Sequence, residues 1–240
     1  MNPEVFSTVA LAFETAGLVA FATSGALLAA ERRMDIIGMI GLAVVTGTGG
    51  GMLRDVLIGA TPVAALENWW MLIVACATGL LVFFLYRLIK RLHRAMLVFD
   101  AIGLGIFVVN GTLKAGLLGL NPVAGATVGL LTGVGGGIMR DVIAGDIPLV
   151  FKRDTTLYLT PALLGAALTA TLFELGWAEW WATLIITLVV MAVRFASEFW
   201  GWRAPSLRTQ ALSIIQQPES DEADSKADGD GPRKKRRGKG

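Results

Sequence analysis

Cysteine and histidine each occur once, as Cys76 and His93. That scarcity excludes an intrachain disulfide and a cysteine- or histidine-built metal cluster, so no metal and no other cofactor is expected. Cys76 sits inside an apolar run, where a packing or lipid-facing role is the simple reading. His93 sits among basic residues, which suits a solvated or headgroup-facing role better than catalysis. The long apolar runs contain no histidine and no nucleophile beside an evident base, so an enzyme is not expected. Charge is also sparse, at 17% of residues with a net charge of +2, and it is crowded into short connections and the tail. Binding to nucleic acid is therefore not implied. No basic residue precedes the first apolar run, which follows Glu4, so it is expected to be a true span rather than a cleaved signal peptide.

What is present is apolar surface. Hydrophobic residues make up 54% of the 240, and the mean hydropathy is +0.63. A span of about 20 residues crosses a bilayer core, and that ruler predicts seven. They run over Val5 to Ala29, Ile36 to Ile58, Trp69 to Leu88, Met96 to Leu117, Pro122 to Ala144, Thr155 to Leu175 and Trp180 to Phe199. The fold class is thus an all-α membrane protein, with a transmembrane domain over 1–202. Residues 203–240 are expected to form a cytoplasmic, largely disordered tail ending in the basic run Arg233 to Arg237.

Arg32 and Arg33 mark the first connection, Arg87, Lys90, Arg91 and Arg94 the third, and Lys152 and Arg153 the fifth. The second and sixth carry only acids, Glu67, Glu174 and Glu179. The positive-inside rule places the odd connections and the C-terminus in the cytoplasm and the N-terminus outside. Trp69, Trp70, Trp177, Trp180 and Trp181 fall at one set of boundaries, and Trp200 and Trp202 at the other, as anchors among the membrane lipids.

One unit has been used twice. Gly49-Gly50-Gly51-Met52-Leu53-Arg54-Asp55, closed by Gly59 and Pro62, returns 86 residues later as Gly135-Gly136-Gly137-Ile138-Met139-Arg140-Asp141, closed by Gly145 and Pro148. The same offset places Phe13, Gly17, Leu18, Phe21, Gly25 and Leu27 on Phe99, Gly103, Leu104, Phe107, Gly111 and Leu113, and Glu14 on Asp100. Three spans per copy is an odd number, so the copies enter from opposite sides. The prediction is two inverted three-helix repeats, about 5–91 and 95–176, plus a seventh helix over about 180–200.

Three glycines mid-span permit a kink or an unwound turn, tolerated where it is buried or lines a cavity. Gly49 to Gly51 and Gly135 to Gly137 are therefore expected to act as hinges beside a permeation path. The competing reading is that they only let helices approach closely. Adjacent helical residues diverge by about 100 degrees, so Arg54 with Asp55, and Arg140 with Asp141, are expected to need partners elsewhere. The intramembrane acids Glu14 and Asp100 are the candidates, in pairings the sequence leaves open. Such bridges either hold the helices in place or shape the electrostatics of the path. Ser24, Thr46, Thr48, Asn110 and Thr132 offer neutral oxygens that can replace water around a cation, although helical Ser and Thr also bond to their own backbone. Lys114 has no basic counterpart, its equivalent being Leu28. It either snorkels to the headgroups or serves as a gating charge at the mouth of the path. No Lys-Ser or Lys-Thr follows the glycines, so a phosphate-binding loop is not expected.

At these residues the chain resembles the prokaryotic relatives of the trimeric intracellular cation channels, whose repeat carries a Gly-Gly-Gly-x-x-Arg-Asp pattern. The resemblance covers about residues 5 to 200. It implies a homotrimer with a pore in each protomer between the glycine-kinked second and fifth spans. It also implies conduction of potassium or other monovalent cations. Physics alone leaves a secondary transporter of a small solute, such as an amino acid, as the alternative, and a membrane scaffold without flux as a third reading.

Overall fold

The computed structural model describes residues 3–89, 91–152 and 158–202. The tail and its basic run lie outside them. Eight α-helices follow in order: α1 Pro3–Glu31, α2 Ile36–Leu57, α3 Ala64–Glu67, α4 Trp69–Leu85, α5 Leu92–Leu117, α6 Pro122–Ile143, α7 Leu159–Glu174 and α8 Trp180–Trp200. Seven correspond to the expected spans, and α3 is a single short turn in the second connection. Six are long and apolar enough to cross a membrane, while α7 is a shorter apolar helix of 16 residues. The expected start of the sixth span at Thr155 lies outside the described residues. The fourth helix begins at Leu92 rather than Met96, because the residues before Met96 continue the helix into the connection.

The repeat is visible in how its helices begin. Asp35 caps α2 by accepting a hydrogen bond from the Gly38 N–H at 2.7 Å, and the equivalent Asn121 caps α6 by accepting from Ala124 at 2.9 Å. Each side chain satisfies a donor that the first turn leaves without an intrahelical partner. Helices α1, α2 and α4 pack together as one repeat and α5, α6 and α7 as the other, joined through α1 against α5 and α2 against α6. Helix α8 lies on α5 and α7.

Contacts between α1 and α5 show the inversion. A β-carbon at Gly17 would meet Phe107, Phe21 lies against Gly103, and the Ser24 hydroxyl donates to the Met96 carbonyl at 3.2 Å. As α1 advances, α5 recedes. The chain is therefore two inverted three-helix repeats and a seventh helix. Large apolar side chains such as Trp69, Phe84, Leu88, Leu164 and Phe199 face outward, as a lipid-embedded bundle requires. Arg32 pairs with Asp146, and His93 contacts Glu31 at 3.3 Å, so the first, third and fifth connections share one end of the bundle.

Candidate functional site

The doubled motif ends its helix in the same way twice. Gly59 and Gly145 take the left-handed conformation, with φ of 70° and 77°, just past α2 and α6. The Ala60 N–H then donates to the Asp55 carbonyl and the Asp146 N–H to the Asp141 carbonyl, both at 2.8 Å, closing a Schellman motif in each copy. The Asp side chains reach forward. Asp55 accepts from the Ala64 N–H and Asp141 from the Leu149 N–H, each at 2.9 Å, capping the short helical turns that follow Pro62 and Pro148. This explains why Gly, Pro and Asp recur together at that spacing.

The arginines fold back on the same acids. Arg54 Nε donates to Asp55 Oδ1 and Arg140 Nε to Asp141 Oδ1, both at 2.8 Å. Neighbouring residues thus meet, and partners elsewhere are present as well. Their Cα–Cβ bonds do diverge, but the arginine's three methylenes and fork-shaped head span the difference. The wider pairing is settled within each repeat: Arg54 bridges to Glu14 at 2.7 Å, and Arg140 to Asp100 at 2.7 Å. Arg140 also donates to Ser24 of the other repeat. Lys114 reaches in the opposite sense, from the second repeat to Asp55 of the first, at 2.8 Å. It therefore does not simply snorkel outward.

Two charged clusters result, separated by about ten residues or 15 Å along α1, from Glu14 to Ser24. Around Asp100 and Arg140 the Tyr158 hydroxyl also closes in, 3.0 Å from where a Gly137 β-carbon would stand, and the Arg194 guanidinium lies 4.7 Å over the Tyr158 ring.

Between the clusters the repeats interlock. A β-carbon on Gly136 would stand 2.6 Å from the Thr46 carbonyl oxygen, and one on Gly50 would overlap the equivalent carbonyl of Thr132. Leu53 covers Gly135 while its counterpart Met139 covers Gly49. Phe21 and Phe107, also counterparts, stack at 5.4 Å with rings 12° apart. Every one of these contacts has its mate across a pseudo-two-fold axis. A cavity of about 10 Å³ remains beside Glu14, Thr48, Asp55 and Phe107, about the space of one water.

Helical structure continues through both glycine triplets, so neither is an unwound turn. The physical reason is that the glycines meet backbone on backbone at the α2–α6 crossing. Their own helical hydrogen bonds are kept where no water could replace them. The threonines are likewise turned to their own chain: Thr46 donates to Leu42, Thr48 to Val44 and Thr132 to Val128. Of these three, Thr48 lines the small cavity. Asn110, the counterpart of Ser24, is half-buried on α5. Sequence reasoning passed over Tyr158, Leu53 and Met139. The 86-residue offset could have flagged the last two, but Tyr158 falls on Leu72 and has no signal of that kind.

A family profile described as "Glycine transporter" matches twice, over residues 11–87 and 97–174. A UPF0126 membrane protein of Deinococcus radiodurans is 40% identical over 171 residues, 69% of this chain and 80% of that one. The UPF0126 inner membrane protein YadS of Escherichia coli K12 is 37% identical over 192 residues, 79% of this chain and 92% of that one. Among solved structures, the trimeric intracellular cation channel orthologue from Rhodobacter sphaeroides is similar, with a TM-score of 0.77 and 34% identity. The match covers 81% of this chain and 99% of that one. A prokaryotic channel of the same kind, solved in 0.5 M KCl, gives 0.76 at 26% identity, covering 82% of this chain and all of that one.

Proposed function

The chain belongs to the glycine transporter family, as a prokaryotic homologue of the trimeric intracellular cation channels, and we propose that it conducts monovalent cations, potassium among them. The pore runs within each protomer of a homotrimer, between the two charged clusters and past the α2–α6 crossing. The observation that carries this reading is the pseudo-symmetric core itself: two charged clusters, one toward each end, with small and aromatic residues between them.

With Arg194 and its partner Glu198 included, the Arg140 cluster sets three carboxylates, Asp100, Asp141 and Glu198, against two guanidiniums, a balance of one negative charge that attracts a cation. The Arg54 cluster has the same balance until Lys114 adds a second positive charge at Asp55. Lys114 is thus the gating charge of that end, and its withdrawal favours cation entry. The Phe21–Phe107 stack, with Leu53 and Met139, closes the middle, and the glycine triplets are the hinges about which α2 and α6 part. Thr48 lines the path next to Glu14. The first, third and fifth connections and the C-terminus face the cytoplasm of a prokaryotic cell, by the positive-inside rule. Residues 203–240 form the cytoplasmic tail, and membrane lipids surround the Trp-bearing boundaries.

The test is single-channel recording of purified protein in a planar bilayer with asymmetric potassium chloride. Discrete steps reversing near the potassium potential are expected. Silence across voltages, in folded protein, would remove the reading. The family's description favours a second one, transport of an amino acid. Glu14 and Asp55 beside Arg54 and Lys114 offer opposite charges to both ends of a zwitterion. Saturable glycine uptake that requires an ion gradient, without current steps, would establish that alternative.

A further inference from the structure

The core is pseudo-symmetric, but one of its cross-repeat ion pairs stands on a position whose mate cannot form one. Helix α1 ends in a Schellman motif: Arg33 N–H donates to Ala30, Met34 N–H to Ala29, and Arg33 holds a φ of 56°. A non-glycine residue in that region is strained, so this end is held in a defined shape rather than left to fray. Arg32 is the residue just before that turn. Asp146 closes the Schellman motif that ends α6 on the other repeat, two residues past that helix's cap. The Arg32–Asp146 contact therefore joins two rigid helix ends, α1 of the first repeat and α6 of the second.

Shifted by 86 residues, Arg32 falls on Leu118 and Asp146 on Ala60. The caps are the same there: Leu120 N–H donates to Ala115 and Ala60 N–H to Asp55. The geometry is duplicated and the charges are not. Glu31, the nearest competing acid in sequence, contacts His93 instead.

We propose that the Arg32–Asp146 pair is a latch that holds one end of the bundle shut over the Arg140 cluster; at the opposite end the matching positions, Leu118 and Ala60, carry no pair, and the cross-repeat bridge is Lys114–Asp55 instead. The placement is direct: Ser24 and Arg140 lie on the same two helices, roughly two turns further into the bundle than Arg32 and Asp146. The pair ties the ends of α1 and α6, the two helices that carry Ser24 and Arg140, so an opening between these helices at that end breaks it. The pair is partly exposed, at 44% for the Arg32 side chain and 21% for Asp146, so it can break and reform.

The test avoids any dependence on conduction. In full-length protein carrying Cys76→Ser, a Ser24→Cys substitution is labelled from the connection side with a membrane-impermeant cationic thiol reagent. Arg32→Gln and Asp146→Asn are each expected to speed labelling about fivefold, the factor that corresponds to ~1 kcal/mol for an exposed ion pair. The two together should add nothing further, and the swap Arg32→Asp with Asp146→Arg should restore the slow rate. Unchanged rates, or a swap as fast as the single variants, would overturn the latch. A double-mutant cycle on thermal unfolding of the same pair, without Ser24→Cys, checks the contact independently, and zero coupling would also overturn it. The latch builds on the cation-pore reading only for its consequence in current. Faster labelling with no current in any variant would refute the pore and leave the latch standing.

Discussion

The cluster around Arg140 is sealed, with Arg140 and Asp100 at 0% side-chain exposure and Asp141 at 5%, whereas its counterpart keeps Glu14 at 18% and Lys114 at 31%. Both descend from one unit and share the same cap, the same folded-back arginine and the same acid on the preceding helix. The difference comes from residues outside the repeat's shared pattern. Tyr158 covers the sealed cluster, and Lys114 enters the open one where the other repeat has Leu28. Duplication thus set the geometry of both ends, while unmatched neighbours set how wet and how charged each end is.

Removing one acid at a time should break the comparison most strongly. Asp100→Asn leaves a fully buried guanidinium short of a partner and is expected to cost about 3–5 kcal/mol of stability. Glu14→Gln also leaves a buried guanidinium short of a partner, but Glu14 itself is partly solvated, so a smaller cost of about 1.5–3 kcal/mol is expected. Thermal unfolding in matched detergent checks both, and equal losses would mean the clusters do not differ in solvation.

The crossing should behave in the opposite way, as a symmetric pair. Gly50→Ala and Gly136→Ala each push a β-carbon into a facing carbonyl and should each cost about 1–3 kcal/mol, with similar values. A large asymmetry would show that α2 and α6 do not share the contact equally. The smallest effect on stability, about 1 kcal/mol or less, is expected for Lys114→Met, because its ammonium is partly exposed. Its effect on current should nonetheless be clear. Cation current should rise, since Asp55 and Glu14 then face only Arg54. Unchanged current at low potassium would remove Lys114 from the gate.

Particular residues show what could be read without the fold. Gly59, Pro62, Gly145 and Pro148 announced helix ends at their observed places, because left-handed caps and proline restrictions act over a few residues. Glu14 and Asp100 were legible as partners for the arginines, since an acid inside an apolar span needs a counter-charge. The glycine triplets left a kink, an unwound turn or close helix approach open, and the helices run unbroken through both. Local propensity argues against helix there, but close backbone packing between α2 and α6 outweighs it. Tyr158 was illegible, because nothing near it in sequence marks it as a cover for a cluster built from α5 and α6.

The sequence by itself determined the seven spans, the inverted duplication and the presence of paired charges. These rest on hydropathy, period and offset, which are properties of neighbours along the chain. Only the tertiary structure decided that each arginine keeps its own repeat's acid. The same is true of Lys114 and Arg32, which cross to the other repeat, and of the counterpart side chains that fill one another's glycines. Those outcomes depend on how closely helices far apart in sequence approach. That distance is set by packing across the whole bundle rather than by any one segment.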